Sequence, residues 1–141
     1  MKIRGLDSLM AKLDALGGDA KATLTRAIDD CGQFVKDDAR LRCPEDTGDL
    51  RQSIDKETKV SGDRISSTVG TSMDYAGYVE LGTGQKGEAT NTNPNIDASY
   101  RQDWTGQPAQ PYLYPALKDN EDQLAEKIKK DLKKDIRRRT I

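Results

Sequence analysis

Apolar residues recur along this chain at two different spacings, and the changes of spacing mark its elements. Leu6, Leu9, Met10, Leu13 and Leu16 form one stripe of a short amphipathic helix that Gly17-Gly18 ends. After Asp19, a candidate cap, Leu24, Ile28, Cys31, Val35 and Ala39 recur every three or four residues, with Ala27 and Phe34 widening the face. This predicts a long second helix to about Leu41, stopped by Pro44, which disfavours helical geometry at Cys43. Between Pro44 and Ile54 the pattern fits a single helical turn capped by Asp46 or Thr47, with Leu50 and Ile54 on one side. The spacing then becomes two: Ile54, Lys56, Thr58 and Val60, a turn at Ser61-Gly62-Asp63, then Ile65, Ser67, Val69 and Thr71. That is a hairpin over 54–71 with one weakly apolar face.

The stretch from Asp74 to Gly84 returns to helical spacing. Asp74 can cap it, Tyr75, Tyr78 and Val79 form its packing side, and Gly82 can take the positive φ that ends a helix. Residues 85–107 are then polar apart from Ile96, Tyr100 and Trp104, and a loop of this length is a flexible segment or an assembly contact. Pro108, Pro111 and Pro115 hold the next segment extended, with an edge strand near 110–114. Pro115 suits the first turn of a last helix striped by Leu117, Leu124, Ile128, Leu132 and Ile136. The sum is one α+β domain over 1–141, a small antiparallel β-sheet (hairpin 54–71 plus the edge strand) flanked by a long N-terminal-half helix and a long C-terminal helix.

Composition makes the core thin: 34% of the 141 residues are hydrophobic, 33% charged and 5% aromatic. Clear periodicity argues against disorder and for a protomer whose stability is completed by neighbouring copies. No stretch has the roughly 18 apolar residues of a membrane span, and Asp7 and Asp14 interrupt any leader-like run, so the expected site of synthesis is the cytoplasm, with no membrane partner. Charge is unevenly placed. Residues 43–117 carry 11 acidic and 6 basic groups, and residues 118–141 carry 9 basic and 6 acidic. This opposition suits head-to-tail contact between copies, and equally a polar loop beside a solvated helix.

Candidate chemistry is sparse. Gly82-Thr83-Gly84-Gln85-Lys86-Gly87 matches G-x-G-x-x-G, but a dinucleotide site needs a strand before the glycines and a helix after them, whereas here a helix precedes and a polar loop is expected to follow. Glu45, Asp46 and Asp49 read as capping groups, Cys43 has no histidine to activate it, and two distant cysteines make no metal site without histidine. No catalytic, cofactor or metal residues are assigned. Lys129, Lys130, Lys133, Lys134 and Arg137 to Arg139 share a helical sector that fits either solvent or phosphate, with Asp131 and Asp135 diluting it. Tyr100, Trp104, Tyr112 and Tyr114 are large side chains in loop context, suited either to interfaces or to covering a small core.

Three blocks in order carry a resemblance: Pro44-x-Asp46-Thr47-Gly48-x-Leu50-x-x-Ser53; Tyr75-Ala76-x-Tyr78-Val79-Glu80-x-Gly82-Thr83-Gly84; and Pro111-Tyr112-Leu113-x-Pro115-Ala116. The chain resembles the neck, head–tail joining and tail-completion proteins of long-tailed bacteriophages and prophages. Tyr112 stands where Phe is usual. The resemblance implies a non-enzymatic virion subunit that forms a homo-oligomeric ring at the head–tail junction, a connector beside head-closure and tail proteins. DNA would pass through its lumen without sequence-specific contact. It would assemble in the host cytoplasm and reside in the virion. Within that expectation Tyr100, Trp104 and Tyr114 are the candidate assembly contacts. The alternative is a nucleic-acid-binding module using the basic C-terminal helix.

Overall fold

The structure, a computed structural model, describes residues 3–44, 48–96 and 98–140. Glu45, Asp46 and Thr47, including both candidate caps of the turn after Pro44, lie outside the described residues. The elements in order are α1 (Leu6–Ala15), α2 (Ala20–Arg42), α3 (Gly48–Ser53), β1 (Asp55–Ser61), β2 (Arg64–Gly70), α4 (Ala76–Leu81), α5 (Gly84–Thr90), α6 (Leu113–Lys118) and α7 (Glu121–Arg139). The architecture is α+β, with one two-stranded antiparallel sheet among the described residues.

Local chemistry accounts for the ends of the first two helices. Gly17 takes φ 81°, and the Gly18 and Gly17 amides donate to the Leu13 and Asp14 carbonyls (both 3.0 Å), the reverse turn that only glycine enters without strain. Asp19 caps α2 by accepting from the Ala22 amide at 3.1 Å. Gly62, at φ 58°, opens the two-residue turn between the strands.

The fold resolves into two compact units. The first comprises Met1–Phe34, Lys56–Thr68 and Asp119–Ile141. In it α1 packs on α7, and Leu13, Leu24, Ala27, Cys31, Leu124, Ile128, Leu132 and Ile136 are buried. The hairpin sits against α2 at Gly32, where an added Cβ would fall 2.0 Å from the Ser67 Oγ. Asp29 on α2 receives the Lys56 ammonium and the Thr58 hydroxyl, each at 2.6 Å. Buried Asp135 on α7 accepts from the Thr23 hydroxyl at 2.8 Å and from Arg138 at 2.5 Å.

These two carboxylates predict an acid response. The bond from Lys56, then that from Thr58, holds Asp29 below its ordinary pKa, and the Thr23 hydroxyl followed by Arg138 does the same for Asp135. A carboxylate whose folded pKa lies below its unfolded value contributes stability that is fully present above the unfolded value, about 3.9, and lost as pH falls through the folded one. Urea midpoints should therefore be flat with respect to these groups above about pH 5 and fall below about pH 4. The Asp29→Asn, Asp135→Asn double variant should have a lower midpoint at neutral pH and a shallower acid slope. An unchanged acid slope would contradict the assignment.

The second unit comprises Val35–Asp55 and Val69–Lys118. Val35, Ala39, Cys43, Leu50, Ile54, Ala76, Tyr112 and Ala116 are its buried apolar residues. The segment after α2 is tied back by arginines: Arg40 Nη2 donates to the Ile54 carbonyl at 2.8 Å, and Arg51 Nη2 to the Cys43 carbonyl at 2.8 Å. Ser53 and Thr71 hydroxyls join at 2.5 Å.

Three expectations are corrected. No edge strand forms at 110–114, because Leu113 begins α6 and a side-chain carboxylate takes the backbone donors there. The last helix is two: α6 ends at Lys118, and α7 begins after Asn120. Leu117 is consequently exposed and outside the α7 stripe, while Pro115 does sit in the first turn of α6. Residues 85–107 are not structureless throughout, since α5 occupies Gly84–Thr90.

Candidate functional site

The second and third sequence blocks meet at one buried side chain. Glu80, on α4, is 7% exposed, and its carboxylate accepts the Tyr112 and Leu113 amides on Oε2 (2.8 and 3.0 Å) and the Tyr114 amide on Oε1 (2.9 Å). The first amides of a helix have no intrahelical acceptor, so this carboxylate caps α6 from a distant part of the chain. Pro111 and Pro115 flank the segment that reaches it. Tyr112 is fully buried beside Glu80, its hydroxyl 3.4 Å from the Ala76 carbonyl. Burial, with the Glu80 charge second, pushes the phenol well above its ordinary pKa, so it stays neutral. The Gln110 amide donates to the Val79 carbonyl at 2.8 Å and completes the join.

α4 therefore turns a different face inward from the one predicted. Its buried residues are Ala76 and Glu80, with Tyr75 and Val79 half-buried, whereas Tyr78 is 65% exposed. Tyr75 occupies the cap position that Asp74 was expected to fill, with no side-chain cap bond.

Gly82 does take φ 75° as expected, but the chain does not leave as a free loop there. Thr83 and Gln107 exchange backbone bonds (2.9 and 3.1 Å), and the Gln85 and Lys86 amides donate to the Trp104 and Thr105 carbonyls (3.0 and 2.9 Å). Tyr100 donates its hydroxyl to the Leu81 carbonyl at 2.8 Å, the Ala109 amide reaches the Thr90 hydroxyl at 2.7 Å, and Gln102 pairs with Glu88. The glycines permit this closeness. A Cβ at Gly106, whose φ is 73°, would lie 1.9 Å from the Thr83 carbonyl oxygen, and one at Gly84 2.5 Å from that of Trp104. Gly87 meets Gly82 and the Tyr100 ring in the same way.

This settles the role of the G-x-G-x-x-G match. A helix does follow the glycines, contrary to expectation, but another helix precedes them, and the first donors of α5 are already taken by carbonyls. The glycines serve close packing of two chain segments rather than approach to a phosphate.

Above this frame lies a surface hollow of about 590 Å³, lined by Tyr78, Leu81, Ala98, Tyr100, Arg101 and Trp104 with the glycine backbone. Trp104 is 50% exposed and Tyr78 65%. Two large aromatic rings thus stand in solvent on a hydrogen-bonded frame. Of the candidate assembly contacts, Tyr100 and Trp104 are brought together here, while half-buried Tyr114 lies on α6. Tyr78, expected inside, joins them instead. Residues two apart on a helix point to nearly opposite sides, so the burial of Glu80 turns Tyr78 outward.

In the first block Leu50 is fully buried, Ser53 Oγ donates to the Leu50 carbonyl at 2.7 Å, and Gly48 opens α3. Asp49 lies in the first turn of α3. Cys31 and Cys43 are buried thiols outside any disulfide, and burial pushes the Cys31 thiol up. No described helix is long and apolar enough to cross a membrane.

A family model described as the bacteriophage HK97-gp10-like tail component matches residues 7–82, which include the first block and the second as far as Gly82. No curated protein and no solved structure matches the chain.

Proposed function

We propose, from the premise that the chain belongs to the HK97-gp10-like family of bacteriophage tail components, that it is a structural virion subunit assembling as a ring at the head–tail junction. The family is one of structural components, which implies a non-enzymatic role. The observation that carries the finer reading is the exposed pair Tyr78 and Trp104 over the braced glycine frame. Solvent-facing aromatics on a rigid support are the usual anchors of protein interfaces, because they bury much area at little entropic cost. In this reading the hollow receives a neighbouring copy or an adjoining head-closure or tail protein, assembly occurs in the host cytoplasm, and DNA passes through the lumen.

Deletion of the gene from a phage that carries it is the functional test. Filled heads and separate tails should accumulate, and the wild-type gene supplied in trans should restore joined particles. Tyr78→Ser with Trp104→Ser should remain folded by circular dichroism and fail to restore them. Joined, infectious particles in the deletion strain would overturn the reading.

A further inference from the structure

The basic C-terminal helix is not uniformly basic once its partners are placed. Lys127 pairs with Asp131 at 2.7 Å, Lys129 with Glu126 at 3.7 Å, and Arg138 and Arg139 with Asp135 at 2.5 and 3.5 Å. Lys130, Lys133, Lys134 and Arg137 are exposed and have no carboxylate within ion-pair distance among the described residues. Their spacing of three, four and seven residues puts them on one stripe, about 10 Å long at 1.5 Å rise per residue. The hollow beside Lys130, Lys133 and Arg137 is lined by Gln123, Glu126 and five cations, with no apolar residue, while Lys134 borders the neighbouring hollow that holds Asp131 and Asp135.

We propose that this stripe is a sequence-independent contact for the phosphate backbone of duplex DNA. The inference rests on the reading that DNA passes this subunit in the virion. An interface with an acidic protein would have a centre of apolar residues and a polar rim, and no apolar residue lines the hollow beside this stripe. Three of the four cations are lysines, mobile point charges that follow phosphates without fixed geometry, where base reading would need forked donors placed in a groove. Contact of this kind lets DNA slide, because any register of phosphates serves equally.

The test is fluorescence anisotropy of two labelled 30-base-pair duplexes of unrelated sequence with the full chain between 50 and 200 mM salt. Four neutralised phosphates give a slope of about −3.6 in log affinity against log salt, a loss on the order of 100-fold over that range, equal for both duplexes. Lys130, Lys133, Lys134 and Arg137 changed together to Gln should abolish binding. Lys12, Lys21, Lys59 and Lys86 changed to Gln, an equal loss of charge on other exposed lysines, should retain most of it. No binding at 50 mM salt, or equal loss in both variants, would overturn the proposal. Displacement by polyglutamate at equal charge concentration would also overturn it, reassigning the stripe to acidic protein surfaces. A stripe variant that still restores head–tail joining, with wild-type protein that binds no duplex, would sink this inference and leave the proposed function standing.

Discussion

Glu80→Ala is expected to be among the most damaging single substitutions in the second unit. It strands the Tyr112, Leu113 and Tyr114 amides around a vacated site, and of the three bonds one is buried and two part-buried. An unpaired buried donor costs about 1–3 kcal/mol, so the total should be about 3–4 kcal/mol. That is a large share of the roughly 5–15 kcal/mol by which a domain is stable. Glu80→Gln should cost less, about 1–2 kcal/mol, because its one carbonyl oxygen can still serve the two donors that share Oε2, while its amide group faces the third. Urea midpoints order the three proteins, and amide exchange localises the effect: Leu113 and Tyr114 should lose protection in the alanine variant before the α7 core does. A loss under about 1 kcal/mol in Glu80→Ala would show that α6 is held by packing alone.

Gly106→Ala should be the second large effect. Its φ of 73° is one that L side chains reach at a cost of about 1–2 kcal/mol, and here the new Cβ would also lie 1.9 Å from the Thr83 carbonyl oxygen. The obstacle is backbone, so it cannot swing aside as a side-chain tip would. The neck formed by Thr83 and Gln107 should open, at a cost of about 2–4 kcal/mol. Trp104 fluorescence should shift to the red as its support loosens, and the Gln107 and Thr83 amides should exchange faster. Gly48→Ala, a position with no positive φ where an added Cβ meets nothing among the described residues, is the control and should stay within about 0.5 kcal/mol of wild type. Equal effects at the two glycines would contradict the packing role given to Gly106.

The elements with strong periodicity were legible in the sequence. The stripes of α1, α2 and α7, the hairpin, and the glycine stops at Gly17 and Gly82 follow from local rules that tertiary structure did not override. What could not be read was long-range. The inward role of Glu80 does not follow from local pattern, because the donors it serves lie more than 30 residues away. Once those donors are taken by a carboxylate, the segment after Pro111 has no reason to form a strand, and the helical face of α4 rotates to bring Glu80 inward and Tyr78 out. The glycines at 82, 84 and 87 match a phosphate loop because close approach of backbone to anything, ligand or chain, needs the same residue. The need for Gly32 in the middle of α2 is equally long-range, since its partner Ser67 is on another element.

The candidate surface was half legible. Trp104 and Tyr100 stood out as aromatics in a polar stretch. Their convergence with Tyr78 depends on α5 and on the Thr83–Gln107 join, neither of which periodicity reveals. The basic helix divides by its ion pairs, which separate four cations with no carboxylate partner among the described residues from those neutralised by Asp131, Asp135 and Glu126.

Averaged electron cryomicroscopy of virions carrying an epitope-tagged copy, decorated with antibody fragment, tests the central claim most directly. The account predicts a closed ring of decoration at the junction between head and tail. Decoration along the tail tube or at the distal tip would contradict it.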